Sequence, residues 1–530
     1  MKPNIIIFNP DQMRADSLGH LGNNASITPN LDRIMEKDGV SFRNAFCQNP
    51  VCVPSRCSFL TGTYPHVRGH RTMSYMLQED ETTLLSELKD NGYFVWMNGR
   101  NDFLPAQIPG IFEKHATETF YGGDVKEAPG LKNPGLRGGP GSKHFYSFYF
   151  GELELDENGK NYTVDDEAVD KAIEKINESK EEQPFCLFLG LQLPHPPYQI
   201  EEPYFSAIDK EKMKKRVYSE EGLKNKPSIL KIIAKEQRLE ELTEDDWDEI
   251  RKCYLAMCMK TDYLFGKLCN ALKEKGIYDN TAIFVFSDHG DYTGDYGIVE
   301  KTQNTFEDCL VKVPFIVKPP MDYKVDSGIS DSLVELVDLY PTVMEMCGIS
   351  PSHSHFGNSL IPVIQDRKAQ NKDYVFAEGG RLKDEKHCDE NNGVMPHPFN
   401  PYYPRKTAQL DDIAHTKATM IRSDKYKYVK RLYEMDEFYD LEKDPDECTN
   451  EIKNSEYNEI INEMKMEMLD WYQTTADAVP YGQDERFNYD MIWNRVKMNV
   501  PESHVEEVQQ KIRDGIDMFQ LIEYVKRLNA

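Results

Sequence analysis

One short segment holds the densest set of chemically useful residues in this chain. Residues 52–62 read CVPSRCSFLTG, so that Cys52 is followed at fixed spacing by a proline, a serine, Arg56 and a Thr-Gly pair. A thiol, or a group derived from it, can serve as a nucleophile once it is activated. Arg56, four residues on, would lie one helical turn away and hold a group attached at position 52. A lone Cys ahead of a proline turn is more simply a buried residue.

Two polar pairs that follow apolar, β-branched runs are candidate metal ligands. Asp11 and Gln12 follow the first such run, and Asp288 and His289 follow a later one. Either pair alone is weak evidence, because an Asp after a strand is usually a cap or turn residue. Three oxygen donors together suit a hard cation such as calcium or magnesium. The nitrogen of His289 shifts the preference toward manganese or another transition ion, but we expect calcium.

The overall charge restricts the possible partners. The chain has 63 basic and 90 acidic residues and a formal charge of −27, so it repels nucleic acid and anionic membranes, and neither is an expected partner. A protein this acidic needs a local cluster of positive charge if it is to bind an anionic ligand. A His between prolines usually caps a loop and a loop Lys is usually solvated, so neither alone indicates such a cluster.

Apolar runs that alternate with helical patterns predict a largely parallel α/β sheet. In such sheets ligands collect beyond the carboxyl ends of the strands, which is where the candidate residues fall. The predicted strands are 4–9, 185–190, 282–287 and 313–318, and the clearest predicted helices are 165–179 and 247–275.

The length of 530 residues exceeds the ~250–300 residues at which one core usually stops growing, so two domains are expected from length alone. We predict a catalytic domain over 1–365, a subdomain over 366–476 and a helical extension over 477–530. The extension could bury surface against a second copy, which would make the protein a homo-oligomer. The predicted subdomain has antiparallel strands at 418–422, 425–431 and 437–441 and a helix at about 453–475.

Segment 52–62 resembles the signature of the type I, formylglycine-dependent sulfatases of the alkaline-phosphatase-like superfamily. So many specified positions in so short a stretch rarely match by accident. Residues 28–32 (TPNLD) and 438–445 (FYDLEKDP) extend the resemblance, which covers about residues 3–475. It implies an alkaline-phosphatase-like α/β/α sandwich with a smaller antiparallel sheet, and hydrolysis of a sulfate monoester of an aryl or carbohydrate alcohol.

The resemblance also implies the chemistry. In that family a separate maturing enzyme oxidises the Cys to formylglycine, and one hydroxyl of the hydrated aldehyde attacks sulfur and releases the alcohol. Loss of a proton from the second hydroxyl then expels sulfate, a step that a plain serine lacks. On this basis Cys52 is the nucleophile and Arg56 holds the hydrate. The resemblance further implies that His195, Lys301 and Arg100 contact the sulfate group. It implies that the metal is bound by Asp11, Gln12, Asp288 and His289.

Arg100 and Asp102 depart from the family pattern, since many sulfatases have Lys and His there. Arginine keeps the charge and adds a bidentate donor. With Asp102 in place of the histidine, either His195 acts as the general acid or Asp102 contacts a cationic or hydroxyl-rich part of the substrate. Further substrate-contact candidates just after the signature are His66, His70 and Arg71. A Pro-rich loop with His387, His397 and Arg405 is a candidate cover for the site.

Three other functions compete with a sulfatase. Phosphonate monoester and phosphodiester hydrolases of the same superfamily use the same nucleophile and a similar Asp, Gln, Asp, His set. A silent relative would bind an anion without turnover. A thiol or redox protein using Cys47, Cys52 and Cys57 would lack the paired spacing such proteins use.

Cysteine usage and the amino terminus favour a cytoplasmic protein. The 11 cysteines include no CxxC pair, which predicts reduced thiols rather than a disulfide framework. The first apolar run is too short for a signal peptide, and no segment approaches the ~20 apolar residues of a membrane span.

Overall fold

The computed structural model describes residues 2–123, 137–139, 141–154, 161–218, 220–482 and 484–530. The chain divides into two units, Met1–Ala478 and Val479–Ala530. The predicted division at 365/366 falls inside the larger unit, between its two main sheets, and stays a prediction.

The larger unit is built on an eight-stranded sheet with the order β10-β2-β9-β8-β1-β6-β3-β4. Strand β1 (Asn4–Pro10) lies at its centre, parallel to β6 (Phe185–Leu191) on one side and to β8 (Thr281–Phe286) on the other. Strand β9 (Phe315–Lys318) alone among these eight runs antiparallel to its neighbours. The predicted, largely parallel sheet is therefore confirmed.

The apolar run in β1 explains why helices cover both faces of the sheet. Ile5 and Ile7 belong to one buried hydrophobic cluster, whereas Ile6 and Phe8 belong to another. Because successive side chains of a strand point to opposite faces, a continuous apolar run has to be buried on both. The result is the expected three-layered α/β/α arrangement.

The Thr-Gly pair of the signature segment ends a buried helix. The helix Cys52–Thr61 is followed by Gly62 with φ +70°, in the left-handed region. Glycine adopts this conformation without the steric cost that other residues meet, and it is the usual residue just past a helix end. Every residue of the helix is buried, so the helix packs inside the molecule and holds Cys52 at its first position.

A second, antiparallel sheet has the order β11-β12-β13-β14, which confirms the smaller antiparallel sheet predicted near the carboxyl end. Strands β12, β13 and β14 lie at the predicted positions, and β11 (Val375–Gly379) is an addition. The helix Asn458–Thr474 packs on this sheet, where the Trp471 ring stacks on Phe376 at 4.5 Å and meets the edge of Tyr64 at 4.9 Å.

The remaining strands are β2 (Val40–Phe46), β3 (Phe94–Asn98), β4 (Glu118–Phe120), β5 (Tyr149–Glu152), β7 (Tyr198–Ile200), β10 (Gly328–Glu335), β12 (Ala418–Arg422), β13 (Tyr426–Arg431) and β14 (Glu437–Asp440). The other α-helices of the larger unit are Pro29–Lys37, Pro65–Arg68, Leu84–Asp90, Ile111–His115, Val164–Glu178, Tyr204–Ala207, Glu220–Lys224, Ser228–Gln237, Glu244–Glu274, Asp308–Val311, Leu339–Cys347, Ile361–Gln365 and Tyr403–Ala408.

The smaller unit contains the helices Tyr489–Val496, Val505–Arg513 and Met518–Leu528. They share a small core of their own, formed by Val496, Val508, Ile512, Leu521 and Val525. In the part of the chain that the structure describes, no helix is long and apolar enough to cross a membrane. All 11 cysteines are free, and nine of them are buried.

Replacing Trp471 with alanine is expected to destabilise the larger unit by about 3–5 kcal/mol, because the ring is 6% exposed and its removal leaves a cavity between Phe376 and Tyr64. The free energy of unfolding, measured with urea, checks this. The matched control is Leu469→Ala on the same helix, where the side chain is 56% exposed and the expected change is within about 0.5 kcal/mol. Equal losses for the two variants would show that Trp471 is not a packing centre.

Candidate active site

The carboxyl ends of two neighbouring parallel strands bring the first candidates together. Asp11 follows β1 and Asp288 follows β8, and both carboxylates are fully buried. The Cys52 Sγ lies 3.4 Å from Asp11 Oδ2 and 3.3 Å from His289 Nε2. Lys301 Nζ donates to Cys52 Sγ over 3.1 Å. The structure thus gathers residues from three distant parts of the sequence, around positions 11, 52 and 289–301, at one sulfur atom.

Gln12 is fixed in an uncommon backbone conformation. Its φ is +68°, in the left-handed region that non-glycine residues rarely adopt and that often marks functional sites. Its backbone N–H donates to Asp288 Oδ1 over 3.1 Å, and its Nε2 donates to Asp291 Oδ2 over 2.5 Å. The amide oxygen therefore faces the cluster, where it accepts from Lys301 Nζ over 2.8 Å.

His289 is held in the tautomer that a metal ligand requires. Its Nδ1 lies 2.9 Å from the carbonyl oxygen of Gly290, so Nδ1 carries the proton and donates it there. The Nε2 lone pair then faces the cluster. Burial lowers the pKa of His289, although the nearby Asp288 acts in the opposite direction. The lowered pKa keeps the ring neutral.

The donor set fits a divalent cation. Ligand atoms of Asp11, Cys52, Asp288 and His289 lie within 4.8 Å of one another, and the Gln12 amide oxygen faces the same cluster. Two carboxylates and an amide oxygen are hard ligands of the kind that calcium and magnesium prefer. The residues that would hold the ion are Asp11, Gln12, Asp288 and His289.

Arg56 links the two carboxylates. Its Nε donates to Asp288 Oδ2 over 3.0 Å, and its Nη2 donates to Asp11 Oδ2 over 2.9 Å. The third nitrogen, Nη1, is buried and has no hydrogen-bond partner in the described part of the chain. Gly190 lies behind the guanidinium, where an added Cβ would be 3.0 Å from Nη1. A glycine at 190 therefore permits this close approach, and Arg56 keeps its Nη1 group for a ligand.

Lys301 and Arg100 complete a cluster of positive charge. Burial opposes the charge of Lys301, but Cys52 and Asp11 outweigh it and raise the pKa of the ammonium group. Burial likewise opposes ionisation of Asp11, yet Arg100 and Lys301 hold the pKa of this carboxyl well below its usual value. Arg100 pairs directly with Asp11, and its Nε lies 3.7 Å from Asp102 Oδ2.

His195 lies at the side of this cluster. Its Nδ1 is 2.6 Å from the carbonyl oxygen of Pro196. Burial, followed by the charge of Lys301, holds the pKa of His195 well below its usual value. The ring is therefore neutral near pH 7 and presents a lone pair at Nε2. It has to take up a proton before it can donate one, and the general-acid role stays a prediction.

The three candidates just after the signature segment make their contacts elsewhere. His66 Nδ1 lies 2.6 Å from Glu378 Oε1, and His70 Nε2 lies 2.9 Å from Glu81 Oε2. Arg71 donates to Glu385 over 2.9 Å. These pairs occupy the polar groups of all three side chains with protein partners, and their role as substrate contacts stays a prediction.

Of the three candidates in the Pro-rich loop, Arg405 reaches the site. It pairs with Glu300, the residue before Lys301, and its Nη2 donates to Glu390 Oε2 over 2.8 Å. The rings of the other two contact aromatic neighbours, His387 with Tyr75 and His397 with Phe399. The loop therefore supports the segment that carries Lys301.

Two positioning residues were not among the sequence candidates. Asp291 accepts hydrogen bonds from Gln12 and, over 2.8 Å, from the hydroxyl of Tyr198. Ser55 Oγ donates to the backbone oxygen of Asp288 over 2.6 Å. Asp291 lies three residues after Asp288, and this short spacing is the one feature of the sequence that indicates a role for Asp291 in the site.

Comparison with known proteins identifies the arrangement. The sulfatase family model matches residues 3–349 of this chain. The chain belongs to the sulfatase family. The resemblance seen in the sequence is thereby confirmed.

This sulfatase is similar to curated family members over most of its length. It is 26% identical to a sulfatase of Formosa agariphila over 90% of this chain and 88% of that protein. It is 26% identical to an arylsulfatase of Clostridium perfringens over 88% of this chain and 93% of that protein. The crystal structure of a phosphonate monoester hydrolase of Agrobacterium radiobacter matches with a TM-score of 0.72 and 20% identity, covering 89% and 96% of the two chains. That structural match shows the shared fold.

If the cluster binds a divalent cation, replacing Asp291 with asparagine is expected to weaken that binding about 10- to 100-fold, because outer-shell partners that orient a ligand typically contribute that much to metal affinity. Gln12 Nε2 would lose its charged acceptor, so the amide oxygen would be held less firmly toward the cluster. Calorimetric titration with calcium measures the change, with Asp331→Asn as control, since Asp331 is an exposed partner of Arg43. Unchanged affinity in the Asp291 variant would mean that Gln12 is not oriented by this contact.

Proposed function

We propose that this protein hydrolyses sulfate monoesters with a formylglycine formed from Cys52 and with a calcium ion held by Asp11, Gln12, Asp288 and His289. One observation carries the proposal. The sulfur of Cys52 lies in a buried cluster where a set of metal donors meets three permanent cations, Arg56, Arg100 and Lys301. Family membership supports the same conclusion.

The positive charge that the site would carry with a divalent ion suits a sulfate ester. Arg56, Arg100 and Lys301 face Asp11 and Asp288, with Asp102 at the edge. A divalent ion would add two positive charges, and a sulfate monoester carries one negative charge. Charged donors that are fixed in a buried site stabilise charge that develops during bond cleavage, because no reorganisation is needed.

Two buried N–H groups are free to bind the transferred group. Arg56 Nη1 and Arg100 Nε have no hydrogen-bond partner in the described part of the chain. An unpaired buried donor costs about 1–3 kcal/mol, so such groups usually have a ligand or water as partner. Oxygens of the sulfate group, or of a hydrate at position 52, would satisfy them.

The proposed reaction explains why residue 52 lies inside this cluster. A hydrated formylglycine supplies one hydroxyl that attacks sulfur and a second whose deprotonation expels sulfate and restores the aldehyde. In the structure, Lys301 Nζ and His289 Nε2 already lie 3.1 Å and 3.3 Å from the side-chain atom at position 52. Lys301 can therefore bind an oxygen there, and Arg56 can orient the hydrate from the next helical turn.

Calcium is favoured over the other candidate ions because most of the donors are oxygens. The nitrogen of His289 is the feature that would suit manganese. The order of affinities for calcium, magnesium and manganese in the same calorimetric titration decides between them, and we expect calcium to bind most tightly.

Trypsin cleaves after Arg43 and Arg56 and so releases the peptide 44–56. In protein from a host that contains a formylglycine-generating enzyme, we expect this peptide to be about 18 Da lighter than its unmodified form, because CH₂SH is replaced by CHO. This peptide contains Cys47 and Cys52, so fragmentation has to place the change at Cys52. The next peptide, with Cys57, is an internal control and should keep its thiol. Active enzyme with an unmodified Cys52 would rule out the mechanism.

The competing function within the same superfamily is phosphonate monoester or phosphodiester hydrolysis, and the structural match to such a hydrolase motivates a direct comparison. We expect kcat/KM for 4-nitrophenyl sulfate to exceed that for bis(4-nitrophenyl) phosphate by about 10- to 100-fold. A sulfate monoester has three non-bridging oxygens and a diester has two, so a diester leaves one buried donor unpaired, which costs about 1–3 kcal/mol.

Cys52→Ala is the control for this comparison and should remove both activities, which excludes a contaminating phosphatase. A preference for the diester would make the protein a phosphodiesterase. Binding of sulfate esters without turnover by the aldehyde-bearing enzyme would instead identify a silent relative.

A further inference from the structure

A cavity of about 400 Å³ opens beside His195. Its exposed wall surface is largely apolar and includes Phe150, Leu153, Ile200 and Met257, although half of the lining residues are polar or charged. His195 belongs both to this wall and to the edge of the charged cluster, where its ring lies close enough to Asp11 and Lys301 for their charges to act on it. A substrate whose sulfate group lies in the cluster could therefore extend past His195 into the cavity.

One buried polar side chain in this cavity has no protein partner. Gln199 is 7% exposed, and neither its amide oxygen nor its amide nitrogen makes a hydrogen bond to the described part of the chain. Gln199 lies in β7 next to Tyr198, which hydrogen-bonds Asp291 beneath the metal donors. Gln199 lines the cavity, whereas the hydroxyl of the neighbouring Tyr198 reaches Asp291.

The charged side chains of the same cavity have protein partners. Lys260 Nζ lies 2.7 Å from Glu201 Oε1 and 2.9 Å from Asp166 Oδ2. Asp165 accepts the backbone N–H groups of Gln192 and Leu193. Arg137, which has no carboxylate partner among the described residues, donates to the backbone oxygens of Phe145 and Phe399. The Gln199 amide, in contrast, keeps both its oxygen and its nitrogen for a neutral group.

We propose that this cavity binds the alcohol half of the substrate, and that this half is an apolar ring system carrying a neutral hydroxyl or amide group that hydrogen-bonds Gln199. The inference rests on the proposed function. A cavity of this size with a largely apolar surface and a few polar groups is typical of small-ligand sites. Hydroxyls of a monosaccharide that lie against Phe150, Leu153 or Ile200 would lose their hydrogen bonds, which costs about 1–3 kcal/mol for each.

Two phenols that differ in one hydroxyl test the proposal without any need for turnover. Calorimetry on the full-length protein measures the binding of 4-phenylphenol and of 4,4′-dihydroxybiphenyl. We expect the second to bind about 5- to 10-fold more tightly, because it satisfies the Gln199 amide. In Gln199→Leu, which keeps the approximate shape and removes both polar atoms, this preference should disappear. Gln370→Leu, at an exposed position, should retain it.

Kinetics on the aldehyde-bearing enzyme extends the test to catalysis. The monosulfate of 4,4′-dihydroxybiphenyl should have a kcat/KM about 5- to 10-fold above that of 4-phenylphenyl sulfate, and both should exceed that of glucose 6-sulfate. Equal values for the biphenyl pair, a preference that survives Gln199→Leu, or faster hydrolysis of the sugar sulfate would each overturn the proposal.

Failure of the proposed function has a different signature. In that case 4-nitrophenyl sulfate would not be hydrolysed, although the phenols would still show whether the cavity selects a hydroxyl. If Gln199→Leu does not fold, the preference of the wild-type protein between the two phenols remains a complete test.

Discussion

The structure depends on the burial of two carboxylates at the point where β1 and β8 end. Asp11 and Asp288 are both fully buried, and Asp288 Oδ1 also accepts the N–H of Gln12. Two like charges in a water-excluded place are unfavourable unless cations and hydrogen bonds compensate them. Arg56, itself fully buried, bridges them and in this way couples the helix that begins at Cys52 to the edge of the sheet. The position of Cys52 is therefore set by an ion pair between distant segments.

The same compensation is accompanied by two unusual backbone features near the site, at Gln12 and at Gly290. Gln12 adopts φ +68° because its N–H and its amide group are both held, by Asp288 and by Asp291. Gly290 lies where an added Cβ would be 2.0 Å from the carbonyl oxygen of Cys309, so the segment that carries Asp288 and His289 packs directly on backbone. Such positions cost stability and persist only where the surroundings determine them, which is the usual condition of a preorganised site.

The sequence predicts the centre of the sheet well and its periphery poorly. The strands β1, β6 and β8 are continuous apolar runs because both of their faces are buried, and such runs are visible in the sequence. Strand β10, with the sequence GISDSLVE, alternates with polar residues and carries a register shift, so its pattern resembles a loop. Strand β11 is five residues long and ends in glycine, at a place where Gly379 packs against the backbone of Gln303.

Some residues of the candidate site can likewise be predicted from the sequence, and others cannot. Cys52, Arg56, Asp11 and Asp288 could be proposed because each lies in a short motif or directly after an apolar run. Asp291 could not be given its role, since its contact joins residues 279 positions apart and no spacing reports it. His66 was proposed as a substrate contact from its place after the signature segment, whereas in the structure Glu378 and Thr475 bind its ring. Linear proximity to the nucleophile does not decide on which side of a helix a residue lies.

The net charge of −27 and the positive site are compatible because they act over different distances. At physiological ionic strength surface charges are screened within about 8 Å, so the acidic surface influences the approach of an anionic ester and little else. Inside the site the effective dielectric constant is lower, and in the proposed function Arg56, Arg100 and Lys301 contact the sulfate group there. On this proposal these cations decide binding, while the cavity beside His195, where the Gln199 amide has no partner among the described residues, discriminates between alcohols.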